Sequence, residues 1–378
     1  MRAGGDRRRM IFHIGLPRAG STTVQHLMAR LRPELDGAGI LYPELTPGTA
    51  AEPHLNHLAL GEALDGRRRA EEAEAILSRL SDAMAASRAD VAMLSYEGFC
   101  QQKRAPEILR VLRALCDRHG FRMEAIMVVR PQSEYLNSLY SHAMQFLRER
   151  RSFGAFVRGF WQTGRFNYDE LVRPWLQACD GRVQAIPLLD RRTAEPVLHR
   201  FLAALDLQDR IVPLLGADDP RRVENRSPGP VAVEVSRRLR LLRVQDRLGV
   251  RPRELMRFVE RCALERGLDP VPFKGVDPGL RATMEAAHAD ANARFAERLW
   301  GQGWSAMVAA EPPHPVNEIA QLPPRPEMED QVQAILHEAC ARFGVRPVRP
   351  WSGTAMEGLE DGQELVQRFF RLSRWRVV

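Results

Sequence analysis

The chain has 378 residues, 55 Lys and Arg against 48 Asp and Glu (formal net charge +7) and 44% hydrophobic residues, which fits a water-facing globular protein with a core domain and an appendage rather than a fibrous or disordered one. No apolar run approaches the ~20 residues that cross a bilayer, and the five cysteines (Cys100, Cys116, Cys179, Cys262, Cys340) are odd in number and far apart, so neither a membrane helix nor a disulfide or Cys-x-x-Cys metal framework is expected. Nearly all of the positive charge is arginine (the lysines are Lys103 and Lys274), scattered without aromatic interleaving, so no nucleic-acid partner is expected.

The N-terminal arginines ahead of Met10–Ile14 look superficially like a targeting leader. The apolar run is too short and flows straight into a glycine-bounded turn, so it reads as a buried parallel strand of a cytoplasmic protein. The turn is Gly15-Leu16-Pro17-Arg18-Ala19-Gly20, followed by Ser21-Thr22-Thr23. Val24, Leu27, Met28 and Leu31 then fall at i, i+3, i+4 and i+7 of a helix. Strand, glycine-bounded loop and helix N-terminus make an anion cradle, because backbone N–H groups and the positive end of the helix dipole point into the turn. Arg18 adds a full charge, and Ser21, Thr22 and Thr23 add hydroxyl donors.

Gly37–Pro53 reads as a loop carrying Glu44, followed by His54 and His57; Arg67–Ala86 reads as a surface helix. Val91–Glu97 reads as a second strand with Glu97 just past its end, and Pro106–Cys116 as a helix. Met123–Val129 is a third strand, closed by Arg130-Pro131. Ser133 is an expected N-cap of the helix whose face carries Tyr135, Leu136, Leu139 and Tyr140. Further helical stripes (Phe153–Trp161, Tyr168–Leu176), a fourth strand (Val183–Leu189) and a helix through Leu198, Phe201 and Leu205 follow. Strands alternating with helices predict an α/β, three-layer parallel sheet flanked by helices. From Asn225 to Trp300 the chain reads as helical apart from a loop at Pro270–Gly275. The prolines between Glu311 and Pro326 mark a linker, and Val332 to Phe343 form one amphipathic helix, with another expected over Leu365–Val378.

In an open parallel sheet, ligands bind beyond the carboxyl ends of the strands. Three polar groups hold that position on successive strands: the Arg18 loop, Glu97 and Arg130. The loop has the glycine spacing of the ATP-binding G-x-x-x-x-G-K-[ST], but Ser21 stands in the lysine position and the cation lies inside the loop. Pro17-Arg18-Ala19-Gly20-Ser21-Thr22 resembles instead P-K-[ST]-G-[ST]-[ST], the 5′-phosphosulfate loop of sulfotransferases that use 3′-phosphoadenosine 5′-phosphosulfate (PAPS). Arg replaces Lys and Ala replaces the small hydroxyl residue. Arg130-Pro131-x-x-x-Tyr135-x-x-Ser138 resembles the second signature of that family. Asn167–Leu171 with Trp175, and Glu224–Ser227, are softer likenesses to its bacterial group.

The resemblance implies a P-loop nucleotide-kinase-like fold over residues 9–305; the prolines mark a Pro-rich linker over 306–328, and the helical pattern beyond it a C-terminal extension over 329–378 of unassigned role. The resemblance also implies PAPS as co-substrate, a hydroxyl-bearing acceptor and no catalytic metal. It assigns Arg18, Ala19, Gly20, Ser21, Thr22 and Thr23 to the 5′-phosphosulfate, and Arg130 with Ser138 to the 3′-phosphate. Arg18 would then stabilise the leaving oxygen through charge alone, since arginine does not give up its proton. Glu97 is the first candidate base, with His57 as its competitor, then His54 and Glu44. Lys274 is a loop lysine that could touch a phosphate, although such lysines are commonly just solvated. Two alternatives stay open on the residues: a P-loop kinase using Mg·ATP, and a non-catalytic nucleotide-binding relative. No pattern encodes the acceptor, so carbohydrate, lipid headgroup and small phenol are all open, and the oligomeric state is not encoded either.

Overall fold

A computed structural model describes residues 7–46, 55–101, 104–161, 166–216, 227–246, 249–312, 314–323 and 325–345. The first apolar run is strand β1 (Arg8–Gly15), and Met10, Ile11, Phe12 and Ile14 have no exposed surface. Such a run has no polar alternation because both faces are covered. Phe12 packs on Trp175 with ring centroids 5.4 Å apart, while its neighbour His13 packs on Phe201 at 5.2 Å on the opposite face.

After β1 come α1 (Ser21–Arg30), α2 (Arg32–Gly37), β2 (Ile40–Leu41), α3 (Leu58–Leu64), α4 (Ala70–Ala86) and β3 (Val91–Ser95), which runs into a 3₁₀ turn at Glu97–Gln101. Then follow α5 (Ala105–Arg118), β4 (Phe121–Val129), α6 (Gln132–Gln145), α7 (Phe153–Trp161), α8 (Tyr168–Ala178), β5 (Val183–Pro187), α9 (Val197–Ala204) and α10 (Gln208–Ile211). The remaining helices are α11 (Pro230–Leu241), α12 (Pro252–Glu265), α13 (Pro278–Trp300), α14 (Trp304–Met307) and α15 (Pro326–Arg342).

The five strands are all parallel, in the order β2-β3-β1-β4-β5. Helices flank the sheet, an arrangement consistent with a P-loop-like fold. The chain leaves central β1 toward the β2 edge and leaves β4 toward the β5 edge. In open sheets of this order, ligands bind beyond the carboxyl ends of the strands at such a reversal, here β1 and β4. The four expected strands are present with ends shifted by a residue or two. Strand β2 lies inside the stretch read as a loop; two residues are too few to show a period. Ser133 is not the cap of α6: the helix starts at Gln132 with Pro131 at the N-cap, and the buried Ser133 hydroxyl has no hydrogen-bond partner among the described residues.

A second apolar cluster joins α11, α12 and α15 through Val235, Leu239, Leu255, Val259, Ile335 and Leu336. The stretch expected to be a linker lies against the core as a strap. Arg191 N donates to Met307 O (3.0 Å), Ala309 N to Leu189 O (3.0 Å), and Asn317 N to Lys274 O (2.9 Å). The Glu318 carboxylate accepts from Phe153 N at 2.7 Å. The expected helix at Leu365–Val378 lies outside the described residues, as do His54 and Glu224–Arg226.

Candidate active site at the carboxyl ends of three strands

The turn after β1 is held by the sheet. Leu16 N donates to Val128 O of β4 at 2.9 Å, Arg18 adopts a left-handed backbone (φ 63°), and Gly20 (φ 83°) swings the chain into α1. Gly20 offers no side chain to cap α1, and the first turn of that helix holds no acidic residue. The positive end of its dipole therefore lies at the turn that carries Arg18. Ala19 is fully buried behind the turn, while Thr22 and Thr23 are half-buried on the first turn of α1.

The parallel register brings the neighbouring strand ends to this turn. Glu97 follows β3, and its Oε1 accepts a hydrogen bond from Ser21 Oγ at 2.6 Å. Arg130 ends β4 with 8% of its surface exposed, and its Nη1 donates to the carbonyl of Arg18 at 3.1 Å. Arg18 Nε donates to Ser138 Oγ, one helix into the next unit, at 3.3 Å. Hydrogen bonds thus join Arg18, Arg130 and Ser138 in one set and Ser21 with Glu97 in a second, both built on the turn after β1. Burial, then the charges of Arg130 and Arg253, bring the Arg18 guanidinium from 12.5 down to about 10 against the opposing pull of Glu97; it stays charged at neutral pH.

His57, expected as a competing base, sits elsewhere. It is 2% exposed, its Nδ1 accepts from Ser95 N at 2.9 Å, and its Nε2 faces Pro43 O at 3.0 Å. Burial depresses the imidazole to about 4. Both ring nitrogens serve the backbone, so a proton-transfer role would require breaking the contacts that fix β3 to the preceding loop. This corrects the sequence reading. Glu44 pairs with Arg32, its Oε2 3.8 Å from Arg32 Nη1.

Glu311, Glu134 and Arg281, which the sequence reading does not single out, gather with Lys274 around Arg130. Glu311 on the strap places Oε1 2.7 Å from Arg130 Nη2 and bonds Lys274 Nζ through its other oxygen. Against the upward push of burial, the hydrogen bond from Lys274 and the charge of Arg130 hold the Glu311 carboxyl below its usual range. Glu134, one helical turn after Arg130, lies 3.6 Å from the guanidinium and 3.5 Å from Arg281 Nη1. The i, i+4 spacing of Arg130 and Glu134 is the one sequence signal available for this group. Arg130 Nε is buried and has no hydrogen-bond partner among the described residues. A guanidinium with one unmet donor suits an incoming anion.

Among the described residues, no group of three or more His, Cys, Asp or Glu is placed to hold a metal ion, and no helix is long and apolar enough to cross a membrane. The strand-end cluster can bind an anion, stabilise negative charge at a second atom and accept a proton. No family model matches the chain, and no curated protein matches it. One solved structure, from the PezAT chromosomal toxin-antitoxin system of the human pathogen Streptococcus pneumoniae, is similar at 13% identity. The match covers 64% of this chain and 89% of that one, with a TM-score of 0.27. A superposition that weak carries no structural or functional argument.

Proposed function

We propose that the chain is a sulfotransferase that moves a sulfuryl group from PAPS to a hydroxyl of an acceptor. The observation that carries this reading is the turn after β1, on which Arg18 joins Arg130 and Ser138 while Ser21 holds Glu97. The turn at Arg18–Thr23 would take the 5′-phosphosulfate. Arg130 and Ser138, with Lys274 nearby, would take the 3′-phosphate, whose charge would replace that of Glu311.

In the transfer, an O–S bond forms between the acceptor oxygen and sulfur as the S–O bond to the 5′-phosphate breaks. The electron pair stays on the phosphate oxygen, where Arg18 and the N-terminus of α1 oppose the growing charge. The acceptor proton passes to Glu97, which Ser21 holds at the mouth of the turn. The reaction needs one base and one cation at the leaving oxygen, which the cluster can supply.

The Ser21–Glu97 pair favours one second reading, since a hydroxyl and a strand-end carboxylate also hold Mg²⁺ in P-loop kinases. Thermal-shift titrations with adenosine 3′,5′-bisphosphate, AMP and Mg·ATP separate the two. Stabilisation by the bisphosphate alone supports the sulfotransferase; stabilisation by Mg·ATP alone replaces it with the kinase. A ligand at ~100 times its Kd contributes about 2.7 kcal/mol, well above detection.

A further inference from the structure

Helix α6 leads away from the loop, and Ser138, His142 and the C-cap residue Phe146 follow one another along a single face at intervals of four. Three groups gather on the Phe146 ring. The His142 ring centroid is 4.8 Å away, the Arg148 guanidinium 4.9 Å, and the Arg253 guanidinium, from α12, 5.6 Å. Ser138, the first residue of this face, accepts from Arg18 Nε at 3.3 Å, so the face begins at the phosphate-facing turn.

Burial, then Arg18, Arg148 and Arg253, push the His142 imidazole down to about 3, which leaves it neutral. Its buried Nδ1 has no hydrogen-bond partner among the described residues. Glu260 lies 3.3 Å from Arg253 Nη1 and shares its carboxylate with Gln145 at 2.9 Å, and Glu97 faces Arg18 from the β3 side. Two guanidiniums, those of Arg148 and Arg253, thus stand at one aromatic ring, on a helix face that begins at Ser138, the partner of Arg18.

We propose that the patch formed by His142, Phe146, Arg148 and Arg253 receives an acceptor whose reacting hydroxyl is carried on a molecule bearing a carboxylate, sulfate or phosphate group. The inference rests on the sulfotransferase reading and specifies its acceptor. Guanidinium forks pair with such anions through two parallel hydrogen bonds. A neutral imidazole nitrogen without a partner suits a neighbouring hydroxyl. The positive field reaching to Arg18 draws the anion toward the transfer site.

The test uses the full chain saturated with adenosine 3′,5′-bisphosphate and calorimetry with three probes: trigalacturonate, its carboxyl-reduced counterpart, and a trisaccharide phosphate. Either anionic probe should bind at least tenfold more tightly than the neutral one. Arg148→Gln, alone and with Arg253→Gln, should erase that preference while binding of the neutral trisaccharide stays unchanged. The better of the two anionic probes identifies the group recognised. Equal binding of neutral and anionic probes, or a preference that survives both substitutions, overturns the proposal and leaves the sulfotransferase reading standing. Failure of the bisphosphate itself to bind is a separate result that removes both.

Discussion

Arg130 Nη2 and Glu311 Oε1 meet at 2.7 Å across 181 residues of sequence. The proline-bearing strap therefore delivers a carboxylate onto the guanidinium at the end of β4 and onto Lys274. If a nucleotide phosphate takes those same cations, it must displace this charge. Glu311→Gln should tighten adenosine 3′,5′-bisphosphate binding by about 3–10-fold, a modest net gain because the glutamine retains a weaker hydrogen bond. Isothermal calorimetry on the two proteins checks the direction, and weaker binding by the variant would mean that the strap supports the site instead of competing for it.

Arg130→Ala should weaken binding of the 3′,5′-bisphosphate at least tenfold and leave AMP affected far less. The difference between the two nucleotides isolates the 3′-phosphate from general loss of positive charge. Equal losses for both would argue that Arg130 acts through the backbone of Arg18, whose carbonyl it holds at 3.1 Å.

Glu97→Gln preserves an oxygen to accept from Ser21 and removes the proton acceptor. Sulfuryl transfer should fall by about 10²–10⁴-fold while bisphosphate affinity stays within a factor of two or so. Radiolabelled transfer assays and calorimetry give the two readouts. Full activity in the variant would remove Glu97 as the base.

Gly15 ends β1 at φ 139°, and an added Cβ would lie 2.9 Å from the Glu97 carbonyl and 2.9 Å from Cys100 Sγ. Gly15→Ala should cost about 1–3 kcal/mol of stability. Gly37→Ala, where a Cβ meets nothing within 4 Å, should be close to neutral. Urea midpoints for both variants against the parent chain test the contrast.

His13 and His57 are depressed to about 4 and His142 to about 3, burial being the leading cause for each. Between those values and the usual 6.5 the unfolded chain binds more protons than the folded one, so stability is fully present above about pH 6.5 and is lost as pH falls toward 4. Each such histidine contributes a slope of up to about 1.4 kcal/mol per pH unit. Denaturant unfolding between pH 7 and 5 should show the decline, and His57→Asn should shallow it.

The strand, turn and helix around Arg18 are legible in the sequence because their ingredients are local: an apolar strand, two glycines, a cation, hydroxyls and a helical stripe within some twenty residues. Strand-end positions for Glu97 and Arg130 were legible for the same reason. Parallel topology then fixes which end of every strand faces the ligand side.

Ser133 was misread as a cap because a serine one residue inside a helix start carries the same local signal as one at the boundary. His57 looked available because its two backbone partners, Pro43 and Ser95, lie 14 and 38 residues away, beyond any local pattern. The sequence by itself determined the α/β class, the loop and the strand ends, all set by short-range periodicity and backbone geometry. Only the tertiary structure decided that the Glu311 strap closes on Arg130 and Lys274, that Arg253 joins His142 and Arg148 at Phe146, and that His57 belongs to the core. Those contacts pair charges and rings from distant segments, and the packing of apolar faces that brings the segments together leaves no mark at the charged positions themselves.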